Sequence, residues 1–394
     1  MKKYSSKLIN LPGYVITNDS IDGYRLNFDV KIKQKHGFCP KCRAKTKTVY
    51  ETRIRKINHN FWDHRPCKLK VLVRKFRCKN CKTRFWEQLP GLKKYARRTE
   101  AFKRQIAKEA LAGVNNKSVS RKYNVGQATV QRDVNHYTDL ELRKKSDVLA
   151  PRILGIDEHF FTKKLGYVTT LCDLQRRKVF DIVQGRSEQA LEGYLRRLKY
   201  RDRTDYVVMD LSSTYRSIVQ KYFPNAQIIT DRFHVIRLVI LRFLATWKLL
   251  DSKGRDNRGL LSLFRRHPSK LTEEQHKKLH RYLQSKPGLE ALYKFKNRFV
   301  KLLNLKEMKF RYARKVIGYF NTLTHFLNKS KFKPLMSLAK TLENWQEEIL
   351  RMMRYTKSNG ITEGFHNKMK RIVRIAYGFR NFKNYRQRVL LQCG

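Results

Sequence analysis

YVVMDLSSTYRSIVQKYFPNAQIITDRFHV, residues 206–235, is the stretch on which the fold turns. YVVMDLS reads as a buried strand, STYRSIVQKYF as a helix, and AQIITDRFHV as a second buried strand running into another helix. The first apolar run stops at Asp210. On a strand buried on both faces, a terminal aspartate is costly unless it reaches the sheet edge or meets something positive. Open α/β sheets build their sites at such strand ends.

Upstream, RILGIDEHFF (152–161), GYVTTLCDL (166–174) and KVFDIVQG (178–185) are three strand-like runs, with Asp157 closing the apolar run 153–156. SEQALEGYLRRLKY (187–200) is an amphipathic helix with Ser187 as its N-cap. Strand, strand, strand, helix, strand, helix, strand is the element order of a ribonuclease-H-like α/β core. Asp231 and His234 follow the last strand at the same sheet edge, where they orient a ligand or cap the next helix. Glu158, Asp173, Asp181, Asp202 and Asp205 are assigned to surface and turns.

Downstream, 236–350 is helical, with Leu, Phe and Tyr at three- and four-residue spacing and a capping box from Thr272 to Gln275. It reads as an all-α insertion, with Trp247 and Trp345 in its core. RYTKSNGITEGFHNKMKRIVRIAYG (354–378) then holds one acid, Glu363, among many cations. Asn359, Glu363 and Asn367 recur every four residues and so share a helix face, with Lys370 a turn further. Two aspartates from neighbouring strands and a helix-borne glutamate are the arrangement that clamps two Mg²⁺ ions, which demand oxygen ligands. Lys357, Lys368, Lys370 and Arg371 are placed to grip the flanking phosphates, while Asp231, His234, Asn359 and Asn367 support the ligands.

Toward the N-terminus, CPKC (Cys39, Cys42) and CKNC (Cys78, Cys81) are paired knuckles suited to tetrahedral Zn²⁺ in a β-rich module. Their wide separation implies an inserted hairpin, of which KLKVLVRKF (68–76) is one strand. His59, His64 and Cys67 are left out of the ligand set, and Cys172 and Cys393 have no partner pattern. NKSVSRKYNVGQATVQRDVNHY (116–137) is a helix-turn-helix: Val119 and Tyr123 face in, a turn falls at Val125 and Gly126, and 127–137 forms the second helix with Val130 and Val134 inward. Gln127, Thr129, Gln131 and Arg132 then face a major groove.

Composition agrees. Lys and Arg number 89 against 32 acids in 394 residues, a formal charge of +57 with a pI near 10.4. A surface of that sign calls for a polyanion, and nucleic acid is the usual one. With 41% hydrophobic and 12% aromatic residues, this is a packed chain rather than a disordered basic tail. The N-terminus lacks a secretory h-region, and the most apolar run, 233–247, is broken by Arg237 and Arg242. A cytoplasmic protein with reduced cysteines and no membrane contact is the expectation.

The double knuckle, the helix-turn-helix, LGIDEHFF, the opening stretch and SNGITEGFHNKMKRIVRIAYGFRNFKNYRQRVL, in that order, resemble the ISL-three family of insertion-sequence transposases, within the DDE transposases. The resemblance covers nearly the whole chain. It implies a ribonuclease-H-like core interrupted by a helical insertion, with the family's two aspartates on Asp157 and Asp210 and its glutamate on Glu363. It also implies recognition of terminal inverted repeats by the N-terminal domains and Mg²⁺-dependent cleavage and strand transfer into target DNA. His366 varies the family pattern and is expected to touch no metal ligand. The expected organisation is a zinc domain (1–95), a helix-turn-helix (96–145), a core (150–237), an insertion (238–350) and a last core helix with a basic tail (351–394). Acting on two ends implies a homodimer on double-stranded DNA. A non-catalytic DNA-binding regulator and a metal-dependent nuclease or resolvase of the same fold remain alternatives.

Overall fold

The computed structural model describes residues 9, 11–62, 64–144, 149–355 and 359–394. Lys357, expected on phosphate, lies outside them. Two compact units emerge: residues 1–145 with 372–388, and 146–371 with 389–394.

The first unit opens with β1 (Tyr14–Asp22), β2 (Arg25–Ile32), the short β3 (Gly37–Phe38) and β4 (Lys45–Thr46), β5 (Val49–Trp62), β6 (Arg65–Arg77) and β7 (Arg84–Trp86). The main sheet runs β1-β2-β6-β5, with β7 on β6. The β5–β6 hairpin is the insertion that the cysteine spacing requires. Its strand β6 alternates as the sequence does: Cys67, Leu69, Val71 and Val73 are buried with Phe28, Val30 and Ile57, and the intervening lysines and arginines are not.

Three helices follow, α1 (Glu100–Leu111), α2 (Asn116–Tyr123) and α3 (Gln127–Lys144). Thr99 and Asn115 cap α1 and α2 through their side-chain oxygens, and Asn124 ends α2 in the left-handed conformation. Val119, Tyr123, Val130 and Val134 are buried, as the helix-turn-helix reading requires. The second helix is longer than expected, reaching Lys144 rather than Tyr137. Thr138 is buried and returns its hydroxyl to the Val134 carbonyl at 2.7 Å, so the turn beyond Tyr137 loses nothing by staying helical.

The second unit is built on β8 (Ile153–Thr162), β9 (Gly166–Asp173), β10 (Lys178–Gln184), α4 (Glu188–Arg197), β11 (Tyr206–Met209), α5 (Ser213–Tyr222) and β12 (Gln227–Thr230). These are the expected elements in the expected order. The sheet runs β10-β9-β8-β11-β12, antiparallel on the first side and parallel across β8, β11 and β12. Asp173 and Asp181, assigned to surface and turns, are instead buried in β9 and β10. Asp173 pays its way by accepting the N–H groups of Gln175 and Arg176 at 3.1 and 2.9 Å, which closes the β9–β10 turn. Asp181 accepts the Ile182 N–H at 2.7 Å beside an irregularity in the ladder.

From the edge of β12, α6 (Arg232–Leu250) runs unbroken into the helical region of α7 (Ser252–Asp256), α8 (Arg258–Arg265), α9 (Glu273–Gln284), α10 (Pro287–Leu303), α11 (Phe310–Asn328), α12 (Lys333–Asn344) and α13 (Gln346–Arg354). The Thr272 capping box is formed, and Trp247 and Trp345 are buried. One hydrophobic cluster joins Val207 and Val208 of the sheet to Trp247, Leu338 and Met352, so sheet and helices share a core. The chain ends with α14 (Gly360–Ile375) and α15 (Phe382–Cys393), so the expected basic tail is itself largely helical.

Lys296, on α10, is 2% exposed with its Nζ donating to the Phe264 carbonyl at 2.5 Å, and burial pulls its ammonium down to about 7. The ordinary lysine value is 10.5, so between there and 7 the unfolded chain binds the extra proton and stability rises with pH. Lys296→Met should therefore stabilise the chain at pH 7 by on the order of 2 kcal/mol and flatten that slope. Thermal melts between pH 7 and 10 check both; an unchanged slope sinks the prediction.

Candidate active site

The parallel ladders set the geometry. Ile156 pairs with Met209, and Met209 with Thr230, so the next residues, Asp157, Asp210 and Asp231, stand at the same level along one sheet edge. Asp157 does not end its strand, as its place after the apolar run suggested. β8 continues to Thr162 because β9 keeps pairing with it, Asp157 opposite Thr170, after β11 has stopped. What ends at Asp157 is the parallel ladder.

Asp210, Asp231 and His234 bring their ligand atoms within 4.8 Å of one another. His234 Nδ1 lies 2.8 Å from both Asp210 Oδ1 and Asp231 Oδ2, and its hydrogen bond goes to Asp231. Asp231 occupies the cap position of α6 without a side-chain capping bond, so the capping role it was offered is not taken up. Asp231 Oδ1 is buried and accepts no hydrogen bond, and Asp210 Oδ1 meets only the His234 ring. Burial opposes charge on His234, but hydrogen bonds and charge from Asp210 and Asp231 outweigh it and push the imidazole up to about 10. Burial, reinforced by the Asp210 charge, raises the Asp157 carboxyl to about 7. Crowded carboxylates with an orphaned buried oxygen form a donor set that suits a hard divalent cation.

Behind Asp157 lies a group that the sequence did not disclose. His366 Nδ1 is 3.6 Å from Asp157 Oδ2, contrary to the expectation that it touches no ligand. Its Nε2 is 3.0 Å from the Thr170 hydroxyl, which also meets His159 Nδ1 at 3.0 Å. Burial first, then neighbouring positive charge, lowers His366 to about 3 and His159 to about 4. Both are neutral at pH 7, so His366 stands beside Asp157 without forming an ion pair. The one available signal was spacing: His366 follows Glu363 by three residues, and Asp157 faces Thr170 across a hairpin.

Asn359 was expected on one helix face with Glu363 and Asn367. It precedes the first residue of α14 and is buried, whereas the other two are exposed. Its Nδ2 donates to the Ile156 carbonyl at 3.3 Å, fixing the backbone one residue before Asp157. This approach needs Gly155: a Cβ there would stand 2.6 Å from Asn359 Oδ1 and 2.9 Å from Leu174 Cδ2. Gly155→Ala should cost about 1–3 kcal/mol, read as a lowered Tm; an unchanged Tm would show that the contact yields freely.

Glu363 sits in the first turn of α14, outside the group that Asp210, Asp231 and His234 form. Lys370 and Arg371 are exposed, while Lys368 donates to the Gln392 carbonyl of α15. On α3, Gln127 and Arg132 are exposed. Thr129 accepts from Arg132 Nη2 at 3.1 Å. Gln131 is half-buried and bridges Asn116 and Asn135 at 3.0 and 2.8 Å, so its amide is spent within the motif.

The four knuckle cysteines assemble as expected. Cys39, Cys42, Cys78 and Cys81 are mutually within 4.8 Å, with sulfurs 3.4 Å apart for Cys39–Cys81 and 3.5 Å for Cys42–Cys78. Zn–S bonds of about 2.3 Å in a tetrahedron place sulfurs roughly 3.8 Å apart, so the set fits zinc after a slight expansion. The turns are twins: Arg43 N–H bonds the Cys39 carbonyl and Lys82 N–H that of Cys78, with Arg43 and Lys82 both left-handed. Cys67 is in the apolar core, and His59 meets Thr99 at 3.0 Å, so both stay outside the cluster.

A helix-turn-helix joined to an α/β sheet with an acidic edge defines a DNA-binding protein that carries a site fit for divalent cations. Residues 154–389 match the DDE transposase model of the ISL3 family, described as a transposase, and 87–138 match the helix-turn-helix domain of transposase family ISL3. The chain belongs to the ISL3 family of transposases. It is 26% identical over 375 residues to the transposase for insertion sequence element IS1001 of Bordetella parapertussis, covering 91% of this chain and 89% of that protein. Divalent-metal use goes with the family, and DNA binding with the helix-turn-helix. Among the described residues no helix is long and apolar enough to cross a membrane.

Proposed function

We propose that this chain binds the terminal inverted repeats of its own insertion sequence and catalyses Mg²⁺-dependent cleavage and strand transfer there. The observation that carries this reading is the alignment of Asp157, Asp210 and Asp231 at one sheet edge, with a buried Asp231 oxygen left without a hydrogen bond. The strand order and the two parallel ladders support a ribonuclease-H-like core.

In this reading Asp157, Asp210 and Glu363 hold two Mg²⁺ ions. Glu363 is assigned on its place one turn before His366, whose ring touches Asp157. Bound Mg²⁺ supplies activation of the attacking oxygen and stabilisation of the leaving oxygen at phosphorus. The rest falls to the protein. Asp231 orients His234 against Asp210, His366 and Thr170 hold Asp157 from behind, and Asn359 fixes the backbone before it. Lys370 and Arg371 reach the phosphates flanking the scissile bond, and Gln127 and Arg132 meet the repeat. Two protomers serve the two ends, and the Cys₄ cluster carries structural zinc.

The test mixes purified protein with labelled element ends and a target plasmid. Nicking and joining with Mg²⁺, and neither with a chelator, support the reading. Nicking without joining points to a nuclease, and end binding without either reaction to a regulator.

A further inference from the structure

YGFRNFKN, residues 377–384, has been given no task so far, yet it belongs to the compact unit of the helix-turn-helix. Three contacts on its two flanks fasten this segment there. Arg388 Nη1 donates to the Ala110 carbonyl near the end of α1 at 2.7 Å, and Gln387 Nε2 to Asp139 Oδ1 on α3 at 2.6 Å. Gly113, at φ +115°, lets Ile375 approach so closely that a Cβ would lie 3.1 Å from its Cγ2. A segment held in this way is pre-organised against α1–α3 over more than two hundred intervening residues.

Between them opens a cavity of about 260 Å³, walled in part by Asn115, Asn116, Gln131, Arg380, Asn381 and Asn384. Asn116 Nδ2 donates to Gln131 Oε1 at 3.0 Å, and Gln131 Nε2 to Asn135 Oδ1 at 2.8 Å. Asn115 and Asn381 use only their carbonyl oxygens, each accepting a backbone N–H at 2.8 Å, which leaves their amino groups to donate. Asn384 has no hydrogen-bond partner among the described residues and offers both a donor and an acceptor. Such amides match the hydrogen-bonding edge of a nucleobase.

Arg380 of the cavity wall, and Arg374 and Lys383, which adjoin the lining residues Ile375 and Asn384 in sequence, are exposed and meet no carboxylate among the described residues, whereas Lys122 of the same unit is paired with Glu109 at 2.8 Å. Tyr377 is 85% exposed on left-handed backbone, φ 54°, ahead of Gly378 at φ 92°. Holding an exposed aromatic in that conformation is unfavourable and presents a flat face for stacking.

We propose that this cleft is a second nucleotide-reading site of the DNA-binding unit, taking a base edge on Asn115, Asn381 and Asn384 and the adjoining phosphates on Arg374, Arg380 and Lys383. The proposal rests on the DNA-binding reading above. It extends the recognised DNA sequence beyond the footprint of α3.

The full chain is used to select bound molecules from a randomised duplex pool, and the parent is compared with Asn384→Ala, Asn384→Asp and the double variant Arg380→Ala/Lys383→Ala. Both Asn384 variants should lose preference at one or two adjacent positions, with discrimination there falling about tenfold. The double variant should weaken binding to every sequence about tenfold and lower the salt slope by about 2. Matched thermal melts establish that these surface changes leave the fold intact. An Asn384 variant that selects the parent's motif unchanged, or a double variant with the parent's affinity and salt slope, overturns the cleft alone. A parent that selects no motif overturns this proposal together with recognition of specific ends.

Discussion

Asp210→Asn should reduce both strand cleavage and strand joining by about 10³-fold, roughly 4 kcal/mol of transition-state stabilisation, while end binding changes less than about twofold. Asp210 immediately follows the end of β11 and borders both Asp157 and the Asp231–His234 pair, so an amide there removes charge where a cation is wanted and leaves the sheet intact. Glu363→Gln should behave alike if Glu363 is a ligand. A Glu363→Gln protein that still joins strands at the parent rate would remove that residue from the site. Asp157→Asn adds a readout that needs no turnover. Its carboxyl is raised to about 7 from an ordinary 3.8, so the folded state binds the extra proton across that window and stability falls as pH rises through it. In metal-free protein at pH 8, Asp157→Asn should therefore raise stability by on the order of 2 kcal/mol. Saturating Mg²⁺ should stabilise the parent and not the variant. A parent whose Tm ignores Mg²⁺ would count against cation binding at this edge.

The second large effect belongs to the knuckles. Structural zinc contributes about 10–16 kcal/mol in small modules that depend on it. Cys78→Ser, or exhaustive chelation, should release the metal, unfold the double knuckle and weaken DNA binding at least about tenfold. Cys67→Ser is the control: its thiol is buried among Leu69, Val71 and Phe28, so the change should cost about 1–3 kcal/mol yet keep one zinc per chain. Metal analysis beside an affinity measurement separates the two. A Cys78→Ser protein with full metal content would overturn the four-cysteine assignment.

Residues whose role depends on near neighbours were legible. Asp210 and Asp231 end short apolar runs, and their strands stop where those runs stop, because a short parallel strand covered on both faces admits no further polar residue. The twin knuckles and the helix-turn-helix repeat local turn chemistry, so spacing alone located them. Asp157 was misplaced because a strand's end is set by its partner: β9 holds β8 in extended form past the point where apolar character fails. Asp173 and Asp181 looked exposed because their burial depends on backbone N–H groups that the turn and the ladder irregularity present.

Longer-range roles were not legible. His366 meets Thr170 across 196 residues, Asn359 reaches Ile156 across 203, and Arg388 reaches Ala110 across 278. No periodicity encodes such distances. By itself, then, the sequence determined the order of strands and helices, the cysteine cluster and the positions of the aspartates beside the strands, since backbone propensity and burial period act over a few residues. Only the tertiary structure decided which carboxylates share an edge, that a neutral histidine stands beside Asp157, and that residues 372–388 return to the helix-turn-helix unit. Those outcomes depend on packing between distant segments, where shape and unsatisfied hydrogen-bonding groups select the partners.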